Sequence, residues 1–141
     1  PPPGSAPPEL RLDAKQISAI IGHPGVATGA VYKITVGRPD LDVREMGALI
    51  NSRMGLNTWA AFYGTLDDAV IAGDFAMLED QVTPVLKALR QRGLHVVAIH
   101  HHMTASRPVV IFLPYWGRGK AVTLAEGFRA ALDITNPRKP Q

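Results

Sequence analysis

The chain has 141 residues, of which 46% are hydrophobic and 19% charged, as is typical of one globular domain with its own core. Cysteine is absent, which excludes disulfides and thiolate metal sites, and the longest apolar run, around 109–116, is too short to span a bilayer. The formal net charge of +3 comes with no basic stripe interleaved with aromatic residues, so we expect no nucleic-acid role.

Proline-rich segments mark the two ends of the chain. Residues 1–8 hold five of the 12 prolines and no large apolar side chain, which predicts a solvated linker with few contacts to the domain. Residues 136–141 predict a similar C-terminal tail. We therefore expect the folded domain to occupy residues 9–135.

The N-terminal part predicts a helix followed by a strand. Asp13 is a good N-cap with Gln16 three residues later, and Gly22 ends the helix. Residues 28–36 are rich in β-branched side chains that alternate between two faces, which predicts a single strand. The following region is less regular, with a short strand predicted near 41–44.

The rest of the chain predicts two hairpins, each followed by a helix. The hairpins pair 59–66 with 69–78 and 94–103 with 109–115, because a short turn joins the members of each pair. The helices lie within 79–92 and over about 120–133. This order predicts an α+β fold: a single domain whose largely antiparallel sheet combines two hairpins and an N-terminal strand, with three helices packed on it.

Three consecutive histidines end the predicted strand 94–103. Alternate side chains of a strand share a face, so His100 and His102 are expected to point into one cavity and His101 away from it. Two imidazoles so placed can bind one metal ion. The alternative is a polar strand end with solvated or hydrogen-bonded rings.

Nearby carboxylates are candidates for a third metal ligand. Asp74 lies inside an otherwise apolar strand, where an unpaired carboxylate is costly, and Glu79 follows at the start of a helix. The alternatives are a bulge or turn for Asp74 and helix capping for Glu79. A ligand set of nitrogen and oxygen favours zinc, copper or nickel over magnesium.

Further pocket candidates are Tyr115, Trp116 and Arg118, in a segment predicted to lead from a strand into a helix. Backbone N–H groups at that helix N-terminus, together with Arg118, can hold an anion. The alternative is a glycine turn closed by an aromatic lid.

Several segments together resemble the LppY/LpqO family of bacterial envelope lipoproteins and secreted proteins, whose function is unassigned. The matching segments are GVATGAVYKITVGRPDL (25–41), GLNTWAAFYG (55–64), GDFAMLEDQVTPVLKALRQRG (73–93), LHVVAIHHHM (94–103) and FLPYWGRG (112–119). The resemblance implies an envelope or secreted location, and it maps the family's His-x-His-Met pattern onto His100, His102 and Met103. Members of that family carry histidine at the position of Pro114 and glutamate at that of Gln81, which implies an altered site in this chain.

Three functions fit these observations. The first is a ligand-binding domain, associated with the envelope or secreted, whose pocket around His100 and His102 binds a transition metal or a small ligand. The second is a metal-dependent hydrolase in which Asp74 or Glu79 acts as base toward metal-activated water. The third is a non-catalytic module that binds a cell-wall component or another protein.

Overall fold

The structure is a computed structural model that describes residues 9–140, so the predicted linker at 1–8 lies outside the described residues. The described part contains three α-helices, nine strands and two short 3-10 helices, at Ser52–Met54 and Glu79–Gln81. The helices are α1 (Ala14–Ile21), α2 (Val82–Gln91) and α3 (Ala121–Thr135). The strands are β1 (Gly25–Thr28), β2 (Val31–Gly37), β3 (Val43–Glu45), β4 (Ala48–Ile50), β5 (Asn57–Gly64), β6 (Ala69–Leu78), β7 (His95–Val96), β8 (Ser106–Arg107) and β9 (Val110–Gly119).

The strands form two antiparallel sheets. Six of them pair in the order β1-β2-β5-β6-β9-β7, and the other three form a small sheet in the order β4-β3-β8. The predicted α+β class, with a largely antiparallel sheet and three α-helices, is confirmed. The predicted hairpin of β5 and β6 is also confirmed, while β9 pairs along its whole length with β6.

One side of the six-stranded sheet packs against the helices. Alternate residues of β6, including Ile71, Phe75 and Met77, are fully buried on this side. The Phe75 ring lies 5.3 Å from that of Phe128 in α3, measured between centroids. The alternation of β6 therefore places its other residues, Asp74 among them, on the opposite side of the sheet.

The opposite side is only partly covered. The small sheet contributes Val43 and Ile50 to a second apolar cluster, which buries Ala76 of β6 and Phe112 of β9. Beyond this cluster the outer side of the six-stranded sheet is accessible, and we call that part the open face. Its outward-pointing residues include Lys33, Trp59, Ala61, Tyr63, Ala72, Asp74, Pro114 and Trp116.

The structure confirms the predicted helices α1 and α2. The Asp13 carboxylate accepts a hydrogen bond from the Gln16 amide at 3.0 Å, and Gly22 ends α1 with a left-handed φ of 80°. Pro84 lies in the first turn of α2, where its missing N–H is tolerated. Gly93 follows that helix, also with a positive φ, of 75°.

The single strand predicted over 28–36 is wrong, because the chain turns at Gly29 and Ala30 and forms the β1/β2 hairpin. Gly29 adopts a φ of 58°, which glycine reaches without steric cost. The alternation predicted for the second half is confirmed: Tyr32, Ile34 and Val36 are buried, and their neighbours in β2 are exposed.

The continuous strand predicted over 94–103 is also wrong. Only β7 and an isolated bridge at His100 pair with β9. The Val97 amide donates to the Pro114 carbonyl at 2.9 Å, but Pro114 has no N–H with which to complete the ladder. The interruption therefore falls opposite the proline.

The segment 115–119, interpreted as a glycine turn or an anion-binding helix start, is the end of β9. A Cβ on Gly117 would lie 2.4 Å from Leu94 Cδ2, so this glycine allows close packing. The predicted C-terminal tail begins with residues that contact the domain: the Asn136 side chain donates to the Gly37 carbonyl at 3.0 Å, and Arg138 donates to that of Ile20. In the described part of the chain, every helix is too short or too polar to cross a membrane.

Candidate metal centre

Asp74 occupies the middle of β6 on the open face. Its neighbours across the sheet are Trp59 on β5 and Pro114 on β9. Its side chain is only 13% exposed. Oδ1 is buried without a hydrogen-bond partner among the described residues. A buried carboxylate oxygen without a donor is costly, so this position favours a bound cation or water.

A bulge brings His100 to the same face. Three residues, 97–99, separate Val96 from His100, whereas two residues separate their partners Tyr115 and Phe112 on β9. Residues directly opposite in a ladder share a face, and a shift of one residue moves a side chain to the other face. The extra residue therefore places His100 opposite Phe112 on the outer side; in regular register it would point toward the helices.

His102 lies over Phe112 and reaches Asp74. The imidazole stacks on the Phe112 ring with a centroid distance of 3.4 Å and an angle of 6° between the planes. Its Nε2 lies 3.6 Å from Asp74 Oδ2, and its ring centroid lies 5.0 Å from that of His100. Phe112 is buried in the cluster beneath the small sheet, so this stack ties the histidine to a rigid part of the fold.

These side chains can together hold a metal ion. Asp74, His100 and His102 each offer one ligand atom, and the three atoms all lie within 4.8 Å of one another. Zinc bonds of about 2.0–2.1 Å in tetrahedral geometry place neighbouring ligands about 3.3 Å apart. The 3.6 Å separation of His102 and Asp74 is close to that value, and a small closing movement of His100 completes the set.

The tautomer of His100 is compatible with metal binding. Its Nδ1 lies 3.3 Å from the His101 carbonyl oxygen. A proton on Nδ1 is held by that carbonyl, which leaves Nε2 with a free lone pair. Both imidazoles are exposed, so a bound ion would retain access to solvent.

Burial controls the ionisation of the cluster. It raises the pKa of Asp74 from 3.8 to about 6, while the charge on His100 and nearby backbone amides lower it by less. Burial also lowers the pKa of His102, and the charge on His100 adds to this effect. A low imidazole pKa keeps His102 neutral and able to bind a metal near neutral pH.

The structure brings together three of the four predicted ligands. Glu79 stands outside the group: it begins the 3-10 helix after β6 and is exposed. His100 and His102 lie together as expected, with ring centroids 5.0 Å apart, and their role as ligands stays a prediction. Both rings are exposed on the open face rather than enclosed in a cavity.

The predicted pocket residues on β9 are divided between the two sides of the sheet. Tyr115 is buried on the helix side, where its hydroxyl donates to the Trp59 carbonyl at 3.0 Å; burial and the charge on Asp74 raise its pKa well above the usual value. Trp116 is on the open face and is 45% exposed. Arg118 is paired with Asp68 at 2.7 Å on the surface, so the three residues do not line one pocket.

Fold and site together define a single α+β domain with a two-histidine, one-carboxylate cluster on an open sheet face. The chain belongs to the family described as Domain of Unknown Function (DUF1259), whose model matches residues 15–134. This is a different family from LppY/LpqO, so the resemblance stated above is wrong, and the envelope location that rested on it stays a prediction. No curated protein and no solved structure matches the chain.

Proposed function

We propose that the domain binds a divalent transition metal ion through Asp74, His100 and His102. The observation that carries this proposal is that Asp74 Oδ1 is buried and has no hydrogen-bond partner among residues 9–140, in a carboxylate that lies within 4.8 Å of the ligand atoms of two imidazoles. A divalent cation supplies the positive charge that this carboxylate lacks. Imidazole and carboxylate ligands favour zinc, copper or nickel, and the same set is used for non-haem Fe(II).

A binding role is better supported than the hydrolase alternative. Many metal-dependent hydrolases, such as those with an HExxH helix, use a glutamate outside the ligand set as the base toward the metal-bound water. Asp74 is itself one of the three ligands, and Glu79 lies outside the cluster. Within residues 9–140, no second carboxylate joins the group, so the chemistry of the site favours holding an ion over activating water.

Metal titration of the tag-free protein tests the proposal. We expect zinc to bind with one ion per chain, and His100→Ala, His102→Ala and Asp74→Asn each to weaken binding about tenfold or more, since each removes a ligand. His101→Ala is the matched control, because His101 is a neighbouring exposed histidine outside the cluster. Isothermal titration with zinc, copper and nickel measures these affinities, and Co(II) absorption reports the geometry.

Equal loss of affinity in all three histidine variants would contradict the proposal, because it would indicate non-specific binding to a histidine-rich surface. Absence of binding by the wild-type protein at neutral pH would contradict it directly.

A further inference from the structure

The open face presents aromatic rings to solvent. Trp116 is 45% exposed and Tyr63 53% exposed, and Trp59 is half-buried. All three project from the side of the six-stranded sheet that carries Asp74. Neither the helix-side core nor the cluster beneath the small sheet includes these rings.

The cross-strand register places small side chains between larger ones on this face, and we call this strip the trough. Lys33, Ala61, Ala72 and Trp116 are successive partners on four neighbouring strands. With neighbouring strands about 4.8 Å apart, Lys33 and Trp116 are separated by roughly 14 Å along this row. The two alanines form a low floor between larger side chains at either end.

The candidate metal centre borders this trough. Trp59 lies directly opposite Asp74, and Trp116 is two residues along β9 from Pro114, the other neighbour of Asp74. Residues opposite or diagonal in a sheet contact the same bound molecule when their side chains share a face. A ligand that lies in the trough therefore also reaches an ion held by Asp74 and the histidines.

The charges of this face suit an acidic ligand. The Lys33 ammonium lies 4.4 Å from the centre of the Trp59 ring, and no carboxylate of residues 9–140 forms an ion pair with it. A divalent cation would more than neutralise the single charge of Asp74. Lys33 and such an ion would then place positive charge on this face beside the rings of Trp59 and Trp116.

From this arrangement we infer that the metal-loaded domain binds an acidic polysaccharide, one whose sugar rings carry carboxylates, along the open face. The inference rests on the proposed metal-binding function. Tryptophan rings stack on the apolar faces of sugars, while Lys33 and an ion held by Asp74 and the histidines would bind carboxylates. Small ligands are bound in enclosed pockets that bury most of their surface, whereas an open trough with spaced rings suits an extended polymer.

Calorimetric titration with a short oligogalacturonate tests the inference. The protein is first loaded with zinc and freed of excess ion, and the fully methyl-esterified oligomer serves as the neutral ligand. We expect the acidic oligomer to bind at least about tenfold more tightly than the neutral one. We expect Trp116→Ala to weaken that binding about tenfold or more, since exposed aromatic anchors dominate such surfaces.

Two controls separate this inference from the proposed function. Met54→Ala removes an apolar side chain that is 59% exposed on the 3-10 helix Ser52–Met54, outside the six-stranded sheet, and this variant's affinity for the oligomer should equal that of the wild type. Trp116→Ala should bind zinc as the wild type does, because Trp116 is no ligand.

Normal zinc binding without oligomer binding, equal affinity for the acidic and neutral oligomers, or full oligomer binding by Trp116→Ala would each overturn the inference and leave the metal site standing. Absence of zinc binding would overturn the proposed function, and this inference with it.

Discussion

The backbone of His100 pairs with that of Phe112. A regular ladder continuing from β7 would bring the residue before His100 opposite Phe112, so the pairing is shifted by one residue. The His100 amide donates to the Phe112 carbonyl at 2.9 Å, and the Phe112 amide donates back at 2.7 Å. This pair sets the face on which the first histidine lies. In this sequence the bulge therefore places His100 in the candidate metal centre.

Moving His100 out of register should carry it away from Asp74. Residues 97–99 are exposed, so deletions there remove little apolar burial. Deleting Ala98 alone leaves two residues between Val96 and His100, as on β9, so His100 stays opposite Phe112 on the open face and zinc affinity should be retained. Deleting both Ala98 and Ile99 shifts the register by one residue and turns His100 to the other face, so we expect zinc affinity to fall about as much as in His100→Ala. Calorimetric titration measures the affinity, and far-UV circular dichroism checks the fold. Zinc affinity unchanged by the double deletion would refute the role of the register.

Local signals in the sequence predicted the elements that depend on local structure. Asp13 and Gly22 mark the ends of α1, and the turn at Asp67-Asp68 defines the β5/β6 hairpin. Asp74 stood out because a carboxylate inside an apolar strand needs a partner. In each case the relevant contacts lie within a few residues or in the composition of one strand.

The sequence did not predict the bulge, because it arises from pairing with a distant strand. Its cause is Pro114, which is separated from Val97 by 16 intervening residues and withholds one N–H from the ladder. The stacking of His102 on Phe112 was missed for the same reason. Glu79 is close to Asp74 in sequence, which makes it a candidate metal ligand, but the strand ends between the two residues and the chain turns into a helix.

Metal affinity should fall steeply in mild acid. A metal competes with protons for its ligands, and burial raises the pKa of Asp74 to about 6. We therefore expect the affinity for zinc to decline as the pH falls through about 6, higher than for an ordinary carboxylate ligand. Calorimetric titration between pH 5 and pH 8, with Asp74→Asn compared over the same range, measures the effect. An affinity that is constant down to pH 5 would contradict the assignment of these ligands.

Gly73→Ala should destabilise the fold strongly. A Cβ at this position would lie 2.1 Å from the Trp59 carbonyl oxygen and 2.2 Å from the Tyr115 hydroxyl, which form a hydrogen bond with each other. Because a backbone atom of a paired strand cannot move away easily, we expect a loss of about 3 kcal/mol or more in the free energy of unfolding. Urea denaturation measures it. Gly119→Ala is the control, since a Cβ there meets nothing within 4 Å.

Asp74→Asn should stabilise the metal-free protein and weaken its response to zinc. The pKa of Asp74 is about 6 in the folded state and near its usual 3.8 in the unfolded chain, so the folded state binds more protons between these values. The free energy of unfolding therefore falls as the pH rises from about 4 to about 6, and asparagine removes this loss. The difference between these two pKa values corresponds to a loss of at most about 3 kcal/mol in the free energy of unfolding. Solvent at the open face screens the charge, which leaves a gain of about 1–2 kcal/mol at pH 8.

Zinc should stabilise the wild type more than Asp74→Asn. An ion that binds only the folded state stabilises the wild type by about 2.7 kcal/mol at a hundredfold excess over the dissociation constant, which raises the melting temperature. Asp74→Asn lacks the charged ligand, and a tenfold or larger loss of affinity reduces its gain at the same zinc concentration by about 1.3 kcal/mol or more. Thermal denaturation of both proteins at pH 8, with zinc or with a chelator, tests both effects. A variant less stable than the wild type in chelator would show that the Asp74 carboxylate finds its partners within the fold, and an equal response to zinc would remove it from the ligand set.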